Sequence, residues 1–249
     1  MGLLSIEEVT FYYKEEKEIL SNINLTLEEG EFHCLLGRSG CGKTTLLKLA
    51  AGLLQPTGGK ILLEGQDVTE PTDGTAFVFQ EQTLLRWKTV LDNVLLPIAL
   101  QKKVTEASMD KAYELLALMG IEEYANDFPR HLSGGQQARV AIARALMMNP
   151  SLLFMDEPFA ALDAITREEL QRDLLDLCRQ EKMTVLFITH DIAEAVYLAD
   201  VITIMEAGEI TASFDCPEAE AGLEDWRYSY EFMEQCRHVQ EELERKKSE

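Results

Sequence analysis

A glycine-rich segment near the N-terminus, GRSGCGKTT at residues 37–45, combines the residue types that a phosphate-binding loop needs. Gly37, Gly40 and Gly42 let the backbone curl so that successive N–H groups point inward at phosphate oxygens. In this spacing Lys43 reaches the β- and γ-phosphates and Thr44 offers its hydroxyl to Mg²⁺. The strand EFHCLL precedes the loop and a helix follows it, which makes a chance glycine turn a weak alternative. The segment predicts a nucleotide site formed by Gly37, Arg38, Ser39, Gly40, Cys41, Gly42, Lys43, Thr44 and Thr45.

Polar residues also follow three apolar strands later in the chain. Asp156 and Glu157 follow the apolar run LLFM, His190 ends TVLFITH, and Gln80 ends TAFVFQ. Ligands of open α/β sheets bind at the carboxyl ends of the strands. We therefore expect Asp156 to hold the hydration shell of Mg²⁺, and Glu157 to act on the attacking water. We expect His190 to contact the γ-phosphate, whereas the residue types alone do not decide whether Gln80 touches the metal or the water.

A second glycine turn, HLSGGQQARVAIARAL at residues 131–146, also runs directly into a helix. Ser133, Gly134 and Gly135 can present N–H groups and a helix N-terminus to an anion. The same residues can also form an ordinary helix cap. One nucleotide site already has its own glycine loop, so the second loop requires a separate explanation.

The elements around these motifs predict an α/β fold. Short strands dominate the N-terminal third, helices run from about Val90 to Met148, and strands and helices alternate after Asn149. Continuous apolar strands between amphipathic helices indicate a buried parallel sheet. We expect a P-loop NTPase core at about residues 1–85 and 150–215, with an N-terminal antiparallel β subdomain in its first part. A helical subdomain at about 86–149 and a helical tail at about 216–249 complete the predicted organisation.

Composition limits the classes of function. The chain has 249 residues, and 23 basic against 44 acidic residues give a formal charge of −21. Such a surface repels nucleic acid and anionic lipid. The five cysteines form no C-x-x-C pair, which favours reduced thiols in a cytoplasm over disulfides or a zinc site. No signal peptide or membrane-spanning stretch is expected.

With GRSGCGKTT, FVFQ, LSGGQ, LLFMDEP, ALD and ITHD in this order, the chain resembles the nucleotide-binding subunit of ABC transporters. The resemblance extends from about Ser5 to Asp215, and LSGGQ separates this family from other P-loop proteins. It implies a cytoplasmic ATPase that uses ATP and Mg²⁺ on the inner face of a membrane, under transmembrane permease subunits and with a solute-binding protein. It also implies a head-to-tail dimer in which the second glycine turn caps the ATP of the other copy. The residues expected at that interface are Leu132, Ser133, Gly134, Gly135, Gln136 and Asp163.

The resemblance further implies an aromatic residue stacked on adenine. Tyr13 is the expected residue by its spacing to ILSNINLTLEEGE, and Phe11 and Tyr12 leave the register open. Within the family, FVFQEQTLLRWKTVLDNVLLPI and DEPFAALDAITR resemble the nitrate, sulfonate and taurine importers. Arg86 replaces a usual proline before Trp87, in the region that contacts the permease. Ala138 replaces a common glutamine in the helix after LSGGQ.

Two other classes of protein compete with an importer subunit. Soluble ABC ATPases of translation or repair commonly carry two cassettes or a coiled-coil insertion, and this sequence shows one cassette and no such insertion. A GTPase or small-molecule kinase would need an N-K-x-D motif or a lid, and would leave LSGGQ unexplained. The sequence therefore favours an ATPase subunit that powers import of a small anion.

Overall fold

The structure is a computed structural model that describes residues 2–13, 17–216 and 226–245. In these ranges the β-strands are Leu4–Tyr13 (β1), Lys17–Leu27 (β2), Phe32–Leu36 (β3), Gly58–Leu63 (β4), Gln66–Asp67 (β5), Thr75–Val78 (β6), Leu152–Asp156 (β7), Thr184–Thr189 (β8), Val201–Glu206 (β9) and Glu209–Asp215 (β10). The α-helices are Lys43–Ala50 (α1), Val90–Val94 (α2), Leu96–Gln101 (α3), Glu106–Leu118 (α4), Gly134–Leu146 (α5), Ala164–Glu181 (α6), Ile192–Leu198 (α7) and Tyr230–Arg245 (α8). Short 3₁₀ helices span Glu122–Tyr124, Pro129–His131 and Trp226–Tyr228. None of the helices described is both long enough and apolar enough to cross a bilayer.

The chain divides into two compact units. The first unit comprises residues 1–72 and 182–249, and the second comprises residues 73–181. In the first unit, an antiparallel sheet has the strand order β2-β1-β4-β5. Its other strands have the order β10-β9-β3-β8, in which β3 runs parallel to both β8 and β9.

The central strands of the first unit are buried along their whole length. Every residue of Phe32–Leu36 and of Thr184–Thr189 is buried. Strands covered on both faces require continuous apolar runs, which FHCLL and TVLFIT supply. These two strands end beside each other, since Leu36 pairs with Thr189. Each is followed directly by a predicted site residue.

The second unit contains the parallel pair β6 and β7 together with helices α2 to α6. The stretch VLDNVLLPIALQ forms two helices, with the break at Leu95. Pro97 explains this break, because it has no N–H to donate to Asn93 and fits only the first turn of a new helix.

The α/β class and the antiparallel N-terminal sheet are confirmed. The strand TAFVFQ is shorter than predicted and ends at Val78, so Gln80 lies two residues beyond it. Residues 90–148 contain helices and no strand, as expected. The units divide at residues 72/73 and 181/182, however, and the predicted boundaries near 86 and 149 stay a prediction. The predicted tail contains α8, while residues 217–225 and 246–249 lie outside the described ranges.

Candidate functional site

The glycine loop between β3 and α1 has the backbone geometry of an anion cradle. Gly40 and Gly42 have φ of 81° and 108°, a region that favours glycine. A Cβ at Gly37 would collide with the carbonyl oxygen of Met205, and one at Gly42 would lie 2.8 Å from Cδ2 of Leu20. A Cβ at Gly40 would meet nothing within 4 Å. Packing therefore requires glycine at both ends of the loop, while its tip, Arg38 to Gly40, is exposed.

Lys43 begins α1 and turns its side chain back into the loop. Its Nζ donates to the carbonyl oxygens of Gly37 at 2.7 Å and Arg38 at 3.0 Å, with Sγ of Cys41 at 4.0 Å. The side chain is buried, and a buried ammonium group is costly unless hydrogen bonds compensate it. The loop thus holds a positive charge under the N–H groups that begin α1, an arrangement suited to phosphate.

We expect Lys43→Ala to weaken ATP binding by about tenfold or more, because it removes a charge-assisted contact to phosphate. Nucleotide affinity measured by calorimetry on the purified chain tests this. Lys48→Ala removes the same charge from the last turn of α1 and is the matched control. Equal affinity in the Lys43 variant and the wild type would refute the P-loop assignment.

His190 lies in the first unit beside this loop. Because Leu36 pairs with Thr189, Gly37 and His190 follow the same ends of two adjacent parallel strands. A cavity of about 500 Å³ is lined by Gly37, Arg38, Ser39 and His190. The structure therefore brings the phosphate-binding loop and the predicted γ-phosphate contact into one cavity.

The C-terminal helix supplies another wall of this cavity. Gln240, Leu243 and Glu244 of α8 line it together with Ile192. The sequence predicts a helical tail here. No sequence motif indicates that the last turns of α8 line the same cavity as the nucleotide loop. Two apolar residues of α8, Phe232 and Val239, are buried.

Asp156, Glu157 and Gln80 share one sheet edge in the second unit. Val78 pairs with Met155 in the parallel pair β6–β7, so Gln80 and Glu157 both follow their strands at the same end. Asp156 is buried as the last residue of β7, and Gln80 is exposed. Three residues with oxygen-bearing side chains therefore lie at the carboxyl ends of two paired strands, where ligands of open α/β sheets bind.

Glu157 has an uncommon backbone conformation. Its φ is 44°, in the left-handed region that a non-glycine residue rarely adopts. Pro158 follows and further restricts the backbone of the residue before it. Backbone strain of this kind clusters at active sites, where the surrounding structure holds the residue in place and fixes the direction of its side chain.

The second glycine turn forms a complete capping box at the start of α5. Oγ of Ser133 accepts from the N–H of Gln136 at 3.2 Å, and Oε1 of Gln136 accepts from the N–H of Ser133 at 2.8 Å. Ser133 and Gly134 are exposed, whereas Leu132 and Gly135 are buried. The turn therefore acts as a helix cap within its own chain. The side chain of Leu132 is turned into the interior, which leaves Ser133 and Gly134 as the accessible part of the turn.

Asp163 and the glycine turn meet through Thr166. Asp163 caps α6 by accepting from the N–H of Thr166 at 3.1 Å and from its hydroxyl at 2.7 Å. These bonds, the hydroxyl bond foremost, lower the pKa of the Asp163 carboxyl, which stays charged at neutral pH. A Cβ at Gly135 would collide with Cγ2 of the same threonine. The second unit therefore brings together the two segments expected at the dimer interface.

Tyr13 lies at the end of β1 with 48% of its surface exposed. Its ring packs edge-on against buried Phe11, with ring centroids 4.8 Å apart. Phe11 pairs with Leu20, the residue that contacts Gly42. Tyr13 lies two strand residues, or about 7 Å, beyond Phe11 along β1. Tyr12 is also exposed, but its hydroxyl donates to Glu18.

The segment after Gln80 forms a groove in the second unit. A cavity of about 620 Å³ is lined by residues that include Glu81, Arg86 and Arg130. Trp87 is 74% exposed, so it is not a core aromatic residue of the helical region. Ala138, the other departure from the family pattern, is buried inside α5 and away from the exposed turn.

Two side chains that no sequence motif indicates hold this segment: the half-buried Arg144 and the buried Asn93. Arg144 of α5 donates to the carbonyl oxygens of Gln82 and Thr83, and burial lowers the pKa of its guanidinium. Asn93 of α2 donates to three backbone carbonyls and accepts the N–H of Leu85 at 2.7 Å. Neither residue follows a strand or a glycine turn, so no local pattern identified them.

Comparison with known proteins agrees with this geometry. Residues 20–160 match the ABC transporter family. The aliphatic sulfonates import ATP-binding protein of Bacillus thuringiensis subsp. konkukian is 44% identical over 212 residues, which cover 83% of each chain. The nitrate import ATP-binding protein of Synechococcus elongatus is 44% identical over 220 residues, or 84% of this chain and 80% of that protein.

Solved structures show the same fold. A dimeric ATP-binding cassette in a post-hydrolysis state, bound to ADP and Pi, superposes with a TM-score of 0.77 at 33% identity. The match covers 86% of this chain and 99% of that one. These likenesses confirm the P-loop NTPase core that the motifs predicted. The chain belongs to the ABC transporter family, as one of its ATP-binding, ATP-hydrolysing subunits.

Proposed function

We propose that this chain powers the import of a small organic or inorganic anion, such as a sulfonate, nitrate or taurine, by hydrolysing ATP under a membrane permease. The observation that carries the ATPase part is the glycine loop with the buried Lys43 ammonium at the start of α1. The anion follows from the relatives, whose printed substrates are aliphatic sulfonates and nitrate. A soluble ABC ATPase is the alternative, and the import relatives favour the transporter.

In the proposed reaction the chain binds and positions phosphate groups without a covalent intermediate. The loop N–H groups and Lys43 bind the phosphates, and His190 contacts the γ-phosphate from the shared cavity. Glu157 accepts a proton from the attacking water as its oxygen bonds to phosphorus, and ADP leaves. Gln80 positions the same water. Tyr13 stacks on adenine.

Mg²⁺ is the proposed cofactor besides ATP. It prefers oxygen ligands, and it commonly joins one or two protein groups to the phosphates. Thr44, Gln80 and Asp156 are the proposed oxygen donors. When bound by these residues, Mg²⁺ would help to neutralise the negative charge that develops on the transferred phosphoryl group.

The proposed working form is a dimer of two copies with two ATP molecules between them. Exposed Ser133 and Gly134 and the charged, exposed Asp163 support a composite site, because all three are accessible to a second chain. ATP closes the dimer and hydrolysis reopens it. A dimeric cassette among the solved relatives supports the same assembly.

We further propose that permease subunits dock in the groove beside Trp87, on the inner face of the membrane, and that a solute-binding protein completes the transporter. An exposed tryptophan next to a cavity is the type of residue that anchors protein interfaces. The charged residues that line this groove are Arg86, Arg130 and Glu81, and their excess of positive charge favours a partner segment with carboxylate groups.

Trp87→Ala is expected to abolish ATP-driven anion uptake, while basal ATPase of the purified subunit stays within about twofold of the wild type. Uptake of labelled sulfonate or nitrate into vesicles that carry the complete transporter measures the first quantity. Leu100→Ala is the matched control, because Leu100 is equally exposed in the same unit and lies outside the groove. Normal uptake by the Trp87 variant would contradict the docking proposal. A parallel loss of uptake and basal ATPase would assign Trp87 to folding or hydrolysis instead.

A further inference from the structure

The two residues that flank His190 are both fixed by side-chain hydrogen bonds. Thr189, 1% exposed, ends β8 and donates its hydroxyl to Oε2 of Glu194 at 2.6 Å. Asp191 caps the N-terminus of α7, and its side chain accepts the N–H groups of Ala193 at 2.8 Å and Glu194 at 3.2 Å. His190 is therefore the single residue between an anchored strand end and an anchored helix start.

These bonds modify the usual capping box. In a capping box, the carboxylate at the third helical position accepts the backbone N–H of the capping residue. Here the N–H of Asp191 donates to the hydroxyl of Thr189 at 3.0 Å, and that hydroxyl donates to Glu194. A hydroxyl is thus inserted between the N–H and the carboxylate. The insertion ties the last residue of β8 to the first turn of α7, across His190.

Burial of the Glu194 carboxylate has an unfavourable desolvation free energy. Only 7% of its surface is exposed, and a buried carboxylate is destabilising unless its bonds compensate for desolvation. Capping of α7 does not require it, since Asp191 already accepts two N–H groups of the first turn. A buried apolar residue would pack at this position at lower cost. One interaction that Glu194 adds and an apolar residue could not make is the hydrogen bond from Thr189.

We propose that Glu194 is a positioning residue for His190, acting through the Thr189 hydroxyl to hold the imidazole in the cavity beside the phosphate-binding loop. This inference rests on the proposed contact between His190 and the γ-phosphate. Without the bond, the connection between β8 and α7 loses a constraint on each side of His190. The imidazole then adopts orientations in which it does not contact the phosphoryl group in the transition state. Small displacements of such a group lower the reaction rate strongly.

The expected signature is a fall in kcat with little change in KM for ATP. Glu194→Ala should lower kcat by about tenfold or more, because ATP binding depends chiefly on the loop and Lys43. Glu194→Gln keeps an oxygen that accepts the Thr189 hydroxyl, so its kcat should stay within about threefold of the wild type. Thr189→Val removes the hydroxyl at similar volume and should reproduce Glu194→Ala, whereas Thr189→Ser should restore activity. The threonine pair carries the test if Glu194→Ala does not fold.

A double-mutant cycle distinguishes positioning from general structural support. In a His190→Ala background, Glu194→Ala should change kcat by less than about twofold, because the imidazole it positions is absent. Thr203→Val is the control: Thr203 is an equally buried threonine of the same unit, bonded to His33 and Ser213. Loss of the Thr203 hydroxyl should lower the melting temperature of the protein without lowering kcat.

Wild-type kcat in both Glu194→Ala and Thr189→Val would overturn the proposal. An equal fold-loss from Glu194→Ala with and without His190 would also overturn it, since the action would not pass through the imidazole. Full activity of His190→Ala alone would refute the proposed role of His190 itself. That outcome can be distinguished from failure of the Glu194 proposal, because it is measured in the single His190→Ala variant.

Discussion

Glu157→Gln is expected to hydrolyse ATP about a hundredfold or more slowly than the wild type, while binding ATP with unchanged affinity. Glutamine has the size and shape of glutamate, so the strained conformation at φ 44° is retained. The amide cannot accept the proton of the attacking water, and general-base assistance is lost. Binding is unaffected because it depends on the phosphate-binding loop of the first unit.

Single-turnover hydrolysis with excess enzyme measures the chemical step directly, and calorimetry measures affinity. Glu122→Gln, an exposed change of the same type in the same unit, should hydrolyse ATP at the wild-type rate. A Glu157→Gln variant with the wild-type single-turnover rate would show that Glu157 does not act on the water.

Residues fixed by local chain geometry could be predicted from sequence. Lys43 follows from the loop spacing, and Asp156 and His190 follow from apolar strands that must end at the carboxyl edge of a parallel sheet. In each case a few consecutive residues determine both the conformation and the position of the side chain. The α/β class followed from the same strands.

Positions that depend on pairing between distant segments could not be predicted. The register of β1 shifts between Ile6 and Val9, between Val9 and Phe11, and between Phe11 and Tyr12. Each irregularity changes which side chains face outward, so Phe11, Tyr12 and Tyr13 could not be distinguished beforehand. The collision that forbids a side chain at Gly135 involves Thr166, on another helix. Such constraints appear only when the tertiary packing is known.

That collision determines how the second glycine turn should be tested. Gly135→Asp would disturb packing against α6 within its own chain, and its effects could not be assigned to a partner. Gly134 is exposed, and a Cβ there would lie 3.7 Å from the carbonyl oxygen of Ala161, an ordinary contact. It is also the first residue of α5, where a carboxylate is favourable for the helix. Gly134→Asp should therefore fold normally and place its negative charge where the γ-phosphate of a partner would approach. Gly134→Ala is the matched control for size without charge.

Combining this variant with Lys43→Ala in one dimer shows which chain the turn serves. Let one copy carry Gly134→Asp, the other Lys43→Ala, and both Glu157→Gln to prevent hydrolysis. If the turn completes the partner's site, both defects fall in one composite site, and the other site has an intact loop and an intact turn. If the turn serves its own chain, each site has a defect. Mixed dimers isolated with two different tags should therefore retain about one ATP, because the sound site keeps its charge-assisted phosphate contacts. Dimers of either variant alone should retain much less, and mixed dimers carrying Gly134→Ala in place of the aspartate should still retain ATP. Absence of bound ATP from the mixed aspartate dimer would place the turn at the site of its own chain.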